Sequence, residues 1–253
     1  MGGLGQAQAL SGDVGQGVDL LKKVLQLSKT HLGPRAPETI NAMSGLGVGY
    51  QLAGEHELAL KLHKETFDLR QSLLGPHHPY TVDTMQSVAM AYEQTGDVNQ
   101  ALKLYTQAFQ KLKEIFGPHQ FQTLFAMDNL GAILVKLNRP ADAEPMLRES
   151  LAVRQKKMPS RWETFNVQRL LGGALACQKK YAEAEPLLLH GYTGLKERAT
   201  MIRSPLTRTT FERQSLEWLV QLYEATNRPA ETARWRKQLE AVRKAGKGTG
   251  AGN

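Results

Sequence analysis

Cysteine is almost missing from this 253-residue chain, with Cys177 the single example. That excludes an internal disulfide, and it leaves no Cys-x-x-Cys pair to grip zinc. The expected compartment is therefore a reducing one, the cytoplasm. Long apolar runs are missing too. No stretch is long and apolar enough for a membrane span, and the N-terminus lacks the basic-then-apolar pattern of a secretory leader. Aromatics make up 7% of the chain. What is present in ordinary amount is a globular mixture: 41% hydrophobic and 22% charged residues, with a net charge of +8. That charge is uneven. Residues 228–253 hold seven Lys or Arg (228, 234, 236, 237, 243, 244, 247) against Glu231 and Glu240, which is +5 of the +8. A basic segment of this kind suits nucleic acid, anionic lipid or an acidic protein, or else a solvated last helix.

The strongest positive feature is a repeat. Gly33-Pro34, Gly75-Pro76 and Gly117-Pro118 are 42 residues apart, and Met158-Pro159 is a weaker fourth copy 41 residues on. Thr39, Thr81 and Thr123 keep the same step, as do Gly54, Gly96 and Asn138, and Ala59, Ala101 and Ala143. A period of about 20 to 50 residues marks units that bury a core only against their neighbours. Within the second full unit, Val82, Met85, Val88, Ala89 and Tyr92 recur at three- and four-residue steps, one face of a helix. Pro79 opens that helix, where a missing N–H costs little, and Gly96 closes it, because glycine tolerates the left-handed conformation. A second stripe follows in Ala101, Leu102, Tyr105, Ala108, Phe109 and Leu112, ending at Gly117-Pro118. Each unit is thus a helical hairpin, helix A then helix B. Small residues form a column where the two must approach: Gly47, Ala89, Gly131 and Gly172. A glycine inside a helix costs about 1 kcal/mol relative to alanine, and close crossing is the reason to carry it.

Leu46-Gly47-x-x-Tyr50 followed by Ala59, and Val88-Ala89-x-x-Tyr92 followed by Ala101-x-x-x-Tyr105, resemble the tetratricopeptide repeat. The long period, with the Leu-Gly-Pro-x-x-Pro-x-Thr loop at 74–81, is similar to the kinesin-light-chain subclass. The resemblance implies an all-α fold, an α-solenoid of about five tetratricopeptide-type hairpins.

Register continued backwards maps Leu46-Gly47 onto Leu4-Gly5 and Gly54 onto Gly12. Residues 1–32 therefore read as a partial first repeat with a truncated helix A, and the natural protein is expected to extend upstream. Helix B of that repeat carries Val18, Leu21, Val24 and Leu25. The repeat array proper is 33–199. Residues 200–244 form an atypical capping repeat, with the extra residues expected in a loop around Thr200–Thr210, and 245–253 read as a disordered glycine-rich tail. Ala184–Arg198 and Leu222–Arg236 resemble segments of bacterial serine/threonine kinases that carry repeat arrays. That resemblance implies a kinase catalytic region outside this chain, since no kinase motif stands within it.

Catalytic, metal and cofactor residues are all expected to be none. Gly45, Gly47 and Gly49 imitate a dinucleotide loop but fall inside helix A, without the strand that such a loop needs. His77 and His78 sit in a surface loop with no third ligand, and Cys177, expected to be partly buried, reads as inert. In repeats of the resembling family, helix A lines a concave groove. The inward positions here are Asn41 and Ser44, Asp83 and Gln86, Phe125, Asp128 and Asn129, and Asn166 and Arg169, with Val48, Met90, Ala132 and Gly173 beside them. Asn129 matches the family asparagine that holds the backbone of an extended peptide; its siblings are Gly45, Ser87 and Leu170. The leading function is a non-catalytic scaffold that docks a peptide or protein segment in this groove. Two alternatives stand behind it: the regulatory repeat region of a kinase encoded upstream, and a binder of nucleic acid or an anionic surface through the basic terminal helix.

Overall fold

The computed structural model describes residues 14–202 and 204–248, with side chains as far as residue 245. Among these residues the chain is helical throughout. The elements are α1 (Val14–Leu32), α2 (Pro37–Leu52), α3 (His56–Leu74), α4 (Pro79–Thr95), α5 (Val98–Phe116), α6 (Phe121–Lys136), α7 (Pro140–Lys157), α8 (Trp162–Cys177), α9 (Tyr181–Glu197), a 3₁₀ turn (Ala199–Met201), α10 (Pro205–Ala225) and α11 (Pro229–Gly248). The even-numbered helices from α2 on are helix A of successive hairpins, and the odd-numbered ones are helix B. Residues 1–12, read as half of an earlier helix, lie outside the described residues. The chain divides into two compact units, one ending at Ala126 and the other beginning at Met127.

Local chemistry sets the hairpin. The turn from helix A to helix B needs one residue in the left-handed region. Gly54 and Gly96 supply it at φ 77° and 95°, and Asn138, Lys179 and Asn227 at 56°, 62° and 53°. The turn from B to the next A uses Gly75 (φ 87°, ψ 165°) and Gly117 (φ 89°, ψ 167°), a region essentially closed to side chains with a Cβ. Met158, which replaces this glycine, changes the conformation to φ −146°, ψ 50°. Three of the column threonines staple the same loop, while the buried Thr81 hydroxyl has no hydrogen-bond partner. The hydroxyls of Thr39, Thr123 and Thr164 each donate to the carbonyl six residues back, on Gly33, Gly117 and Met158, all at 2.7 Å.

In the first unit, α1 packs on α2, α2 on α3, α3 on α4 and α4 on α5. Its core begins with Val18, Leu21 and Leu25 of α1 against Met43, Leu46 and Leu62. It continues through Val82, Met85, Tyr105 and Leu112. In the second unit Leu147, Leu171, Leu175, Leu188, Leu216 and Leu219 are buried. The small column does what its spacing requires. A Cβ on Gly47 would stand 2.5 Å from the His63 ring, one on Gly131 2.7 Å from Leu147, and one on Gly172 2.8 Å from Leu188. Opposing residues 63, 147 and 188 follow the repeat, so each glycine receives the large side chain of its own helix B.

One link in the second unit joins successive hairpins through charge. Glu144 of α7 accepts from Lys180 Nζ at 2.7 Å and from Gln178 Nε2 at 2.8 Å. These bonds, Lys180 first, hold its carboxyl down to about 2. The corresponding Glu185 of α9 accepts from Arg228 Nη1 at 2.8 Å and from the Tyr223 hydroxyl at 2.8 Å.

Two expectations are corrected by the structure. The extra residues near the C-terminal end are not one loop. The connection before α10 runs through 198–204, longer than the earlier ones, and α10 itself has 21 residues against 16 in α8. Much of the insertion is helix because Ser204 caps it, its hydroxyl accepting from Thr207 N–H at 3.2 Å, and Pro205 occupies the first turn. The last helix also continues through Gly248, beyond the expected end at Lys244.

Candidate functional site

In the first unit the expected inward positions on helix A divide into two depths. Asn41 and Val48 of α2, Asp83 and Met90 of α4, and Phe125 in the first turns of α6 are exposed. Their apolar members are open to solvent, Val48 37%, Met90 40% and Phe125 38%, with Tyr80 on the same helix as Met90 at 62%. Ser44 is half-buried and Gln86 is buried, so they floor this surface. A residue from helix B stiffens it. Arg70 of α3 is buried and donates to Asn41 Oδ1 at 3.0 Å, Thr84 Oγ1 at 2.6 Å and the Tyr80 carbonyl at 3.2 Å, and it lies 5.5 Å from the Tyr80 ring centre. Burial lowers its pKa from the usual guanidinium value, while the nearby Asp83 carboxylate works the other way.

The second unit treats the same positions differently. Asp128 is buried and accepts from the Ser150 hydroxyl and from Arg154 Nη2, both at 2.5 Å. Burial pushes its carboxyl up, and Arg154 pulls it back. Arg169 is 2% exposed. It donates to Asn166 Oδ1 at 2.8 Å and to Gln214 Oε1 at 2.9 Å. Its guanidinium lies between the rings of Phe211 (4.7 Å) and Trp218 (5.2 Å). Gly173 is covered by Trp218, and Asn129 and Asn166 are half-buried. Asp128 and Arg169 are therefore internal groups, with their polar atoms turned to their own unit rather than to a ligand. Sequence reading missed Arg70 and Arg154. One signal for them exists: both occupy the same helix-B position, two repeats apart.

Gly45, Gly47 and Gly49 lie within α2. His78 is more than a loop residue, since its Nδ1 accepts from Tyr80 N–H at 3.2 Å and caps α4. His77 stands 3.8 Å from Glu114. Cys177 is exposed rather than partly buried, and desolvation pushes its thiol up, which keeps it a weak nucleophile. Among the described residues no group of three His, Cys, Asp or Glu side chains is placed to hold a metal, and no helix is long and apolar enough to cross a membrane. At the C-terminal end Arg228, just before α11, pairs with Glu185 and Glu231, and on α11 Arg236 pairs with Glu224 and Arg243 with Glu217, while Arg234 lies over the Trp235 ring.

A family model described as tetratricopeptide repeat matches residues 1–72, 49–114 and 88–156 in overlapping copies. The chain belongs to the tetratricopeptide repeat family. No curated protein matches its sequence. Among solved structures it is similar to the nearly identical repeats of a kinesin light chain from Podosopora anserina, with 20% identity, TM-score 0.65, and 79% of this chain and 94% of that one covered. BtubC (BKLC) from P. vanneervenii aligns at 16% identity and TM-score 0.67, covering 93% and 92%. A Rap protein complexed with Competence and Sporulation Factor aligns at 11% identity and TM-score 0.67, covering 97% and 74%. At these identities the likeness is one of fold. This tetratricopeptide repeat chain is thus an α-solenoid of kinesin-light-chain-like hairpins.

Proposed function

We propose that this chain is a non-catalytic protein-interaction scaffold, and that the helix-A face of its first unit takes an extended segment of a partner. The observation that carries the reading is the exposure of Val48 and Met90 at the same position of successive repeats. Beside them stand Asn41 and Asp83, likewise one repeat apart. An extended peptide alternates its side chains and presents a row of backbone amides. Such a strip offers it apolar contacts at one step and a carboxamide and a carboxylate at the next. Arg70 fixes the Asn41 carboxamide in advance, which lowers the ordering cost of binding. The Rap protein, solved in complex with Competence and Sporulation Factor, agrees with a binding role for this fold.

Selection of a random peptide display library on the full chain tests the proposal. Peptides recovered at high salt should lose about tenfold in affinity, roughly 1.4 kcal/mol, with Met90→Asp or Asn41→Ala. They should be unaffected by Leu58→Ser, an exposed change on helix B. Peptides that ignore all three substitutions, or that are released by salt alone, would overturn the placement. The salt-released class would point instead to the basic residues of the second unit.

A further inference from the structure

The longer connection before α10 and the added turn of that helix leave a cleft of about 260 Å³ against α9 in the second unit. Its floor is buried and apolar, with Leu195 and Ile202 beside the ring of Tyr192, and Phe211 forms one wall. Two cations stand at the rim. Arg208 is half-buried, and its side chain has neither a hydrogen bond nor an ion pair among the described residues. Lys196 is exposed and has a single polar contact, a 3.4 Å bond from Nζ to the Tyr192 hydroxyl. One acid, Glu212, lines the same cleft and makes no ion pair with either cation; the Tyr192 hydroxyl donates instead to Gln238 Oε1 at 2.9 Å.

A third cation lies behind the Phe211 wall. Arg169, 4.7 Å from that ring, is buried with only neutral acceptors, the amide oxygens of Asn166 and Gln214. Burial lowers its guanidinium to about 9. Buried cations are ordinarily matched by an anion. Here the cleft holds Arg208 and Lys196 with a single carboxylate, Glu212, that pairs with neither, over an apolar floor.

We propose that this cleft binds an amphipathic carboxylate, with its short apolar chain on Leu195, Ile202 and Phe211 and its carboxylate held by Arg208 and Lys196. The volume is small against the usual range of about 300–1,000 Å³ for ligand sites, which fits a head group and a short chain. A guanidinium receives a carboxylate in two parallel bonds, which suits Arg208 as the main anchor and Lys196 as the second. The chemistry has two sources, a free medium-chain acid or the C-terminus of a leucine-rich peptide.

Titration calorimetry on the intact chain tests it with octanoate, octanol, acetyl-Leu-Leu and the amide of that dipeptide. At least one carboxylate is expected to bind about tenfold more tightly than its neutral partner. Arg208→Gln should remove that preference, bringing the carboxylate down to the affinity of its neutral partner, and Lys196→Gln should reduce it. Arg208 has no side-chain partner to lose and Lys196 only one long bond, so the fold is retained. Tighter octanoate assigns the free acid, and tighter dipeptide assigns a peptide terminus; either supports the site. The proposal is overturned if neither carboxylate binds at about 10 mM, if each neutral compound equals its carboxylate, or if Arg208→Gln changes nothing. None of these results bears on the first-unit face, which is tested by different residues.

Discussion

At the scale of single residues, His63 is the side chain most at odds with its surroundings. It is 1% exposed, neither ring nitrogen has a hydrogen-bond partner, and its ring presses on Gly47. Desolvation first, and the charge of Arg70 second, lower its pKa from 6.5 to about 4. The folded state therefore resists protonation that the unfolded chain accepts. This contribution to stability is complete above pH 6.5, falls as pH drops toward 4, and levels off below that, at a total cost of about 3 kcal/mol. Later repeats place Leu147 and Leu188 at this position, against the same glycine column. His63→Leu should raise stability at neutral pH by about 1–2 kcal/mol, since two unpaired buried nitrogens disappear. It should also flatten the urea midpoint between pH 6.5 and 4. A variant that keeps the wild-type pH slope would show that another group causes it.

At the scale of the element, the hairpin boundaries follow from backbone conformations that few residues tolerate. The left-handed turn position is filled twice by glycine and twice by asparagine, but once by Lys179 at φ 62°. A lysine there carries about 1–2 kcal/mol of steric strain, partly offset by the greater freedom that glycine has in the unfolded chain. Lys179→Gly should therefore stabilise by about 0.5–1 kcal/mol. Gly75→Ala, at φ 87° and ψ 165°, should instead cost about 1–3 kcal/mol. Equilibrium urea unfolding of the two variants reads both signs. The same locality explains why helices and turns are legible in the sequence. Gly96, Pro79 and the threonine column act on atoms close to themselves along the chain. The functional face is legible only in part. Whether a polar residue on helix A meets solvent or its own fold depends on distant partners. Asp128 is closed off by Ser150 and Arg154 of the following helix B. Arg169 is closed off by Gln214, Phe211 and Trp218 of the next helix A. No spacing rule within one repeat announces such partners. Asn41, Asp83 and Phe125 stay exposed, although Arg70 of the following helix B takes the Asn41 carboxamide oxygen. The insertion near α10 misleads for a related reason. Its length reads as a loop, but Ser204 and Pro205 start a helix inside it.

At the scale of the whole molecule, charge and contact are both distributed unit by unit. Residues 127–253 hold 22 Lys or Arg against 13 Asp or Glu, whereas residues 1–126 hold ten against eleven. The first unit is thus nearly neutral and the second carries the net positive charge. Within each unit nearly all helix contacts are between chain neighbours, with α8 against α10 as the added pair. Stability in such a chain is a sum of repeat terms and neighbour terms, and unfolding need not be all-or-none. Scanning calorimetry should return a calorimetric enthalpy larger than the van't Hoff enthalpy; equality of the two would mean that the repeats melt as one body. Packing mainly between neighbours also bears on inheritance. A block of one full repeat can be duplicated or deleted in frame, and each new junction still joins a helix B to a helix A of matching shape. A change of any other size has no partner surface and must be taken up by a loop or a helix end, as the stretch before and into α10 does. Such a gene can lengthen or shorten in whole repeats far more readily than it can drift by single residues.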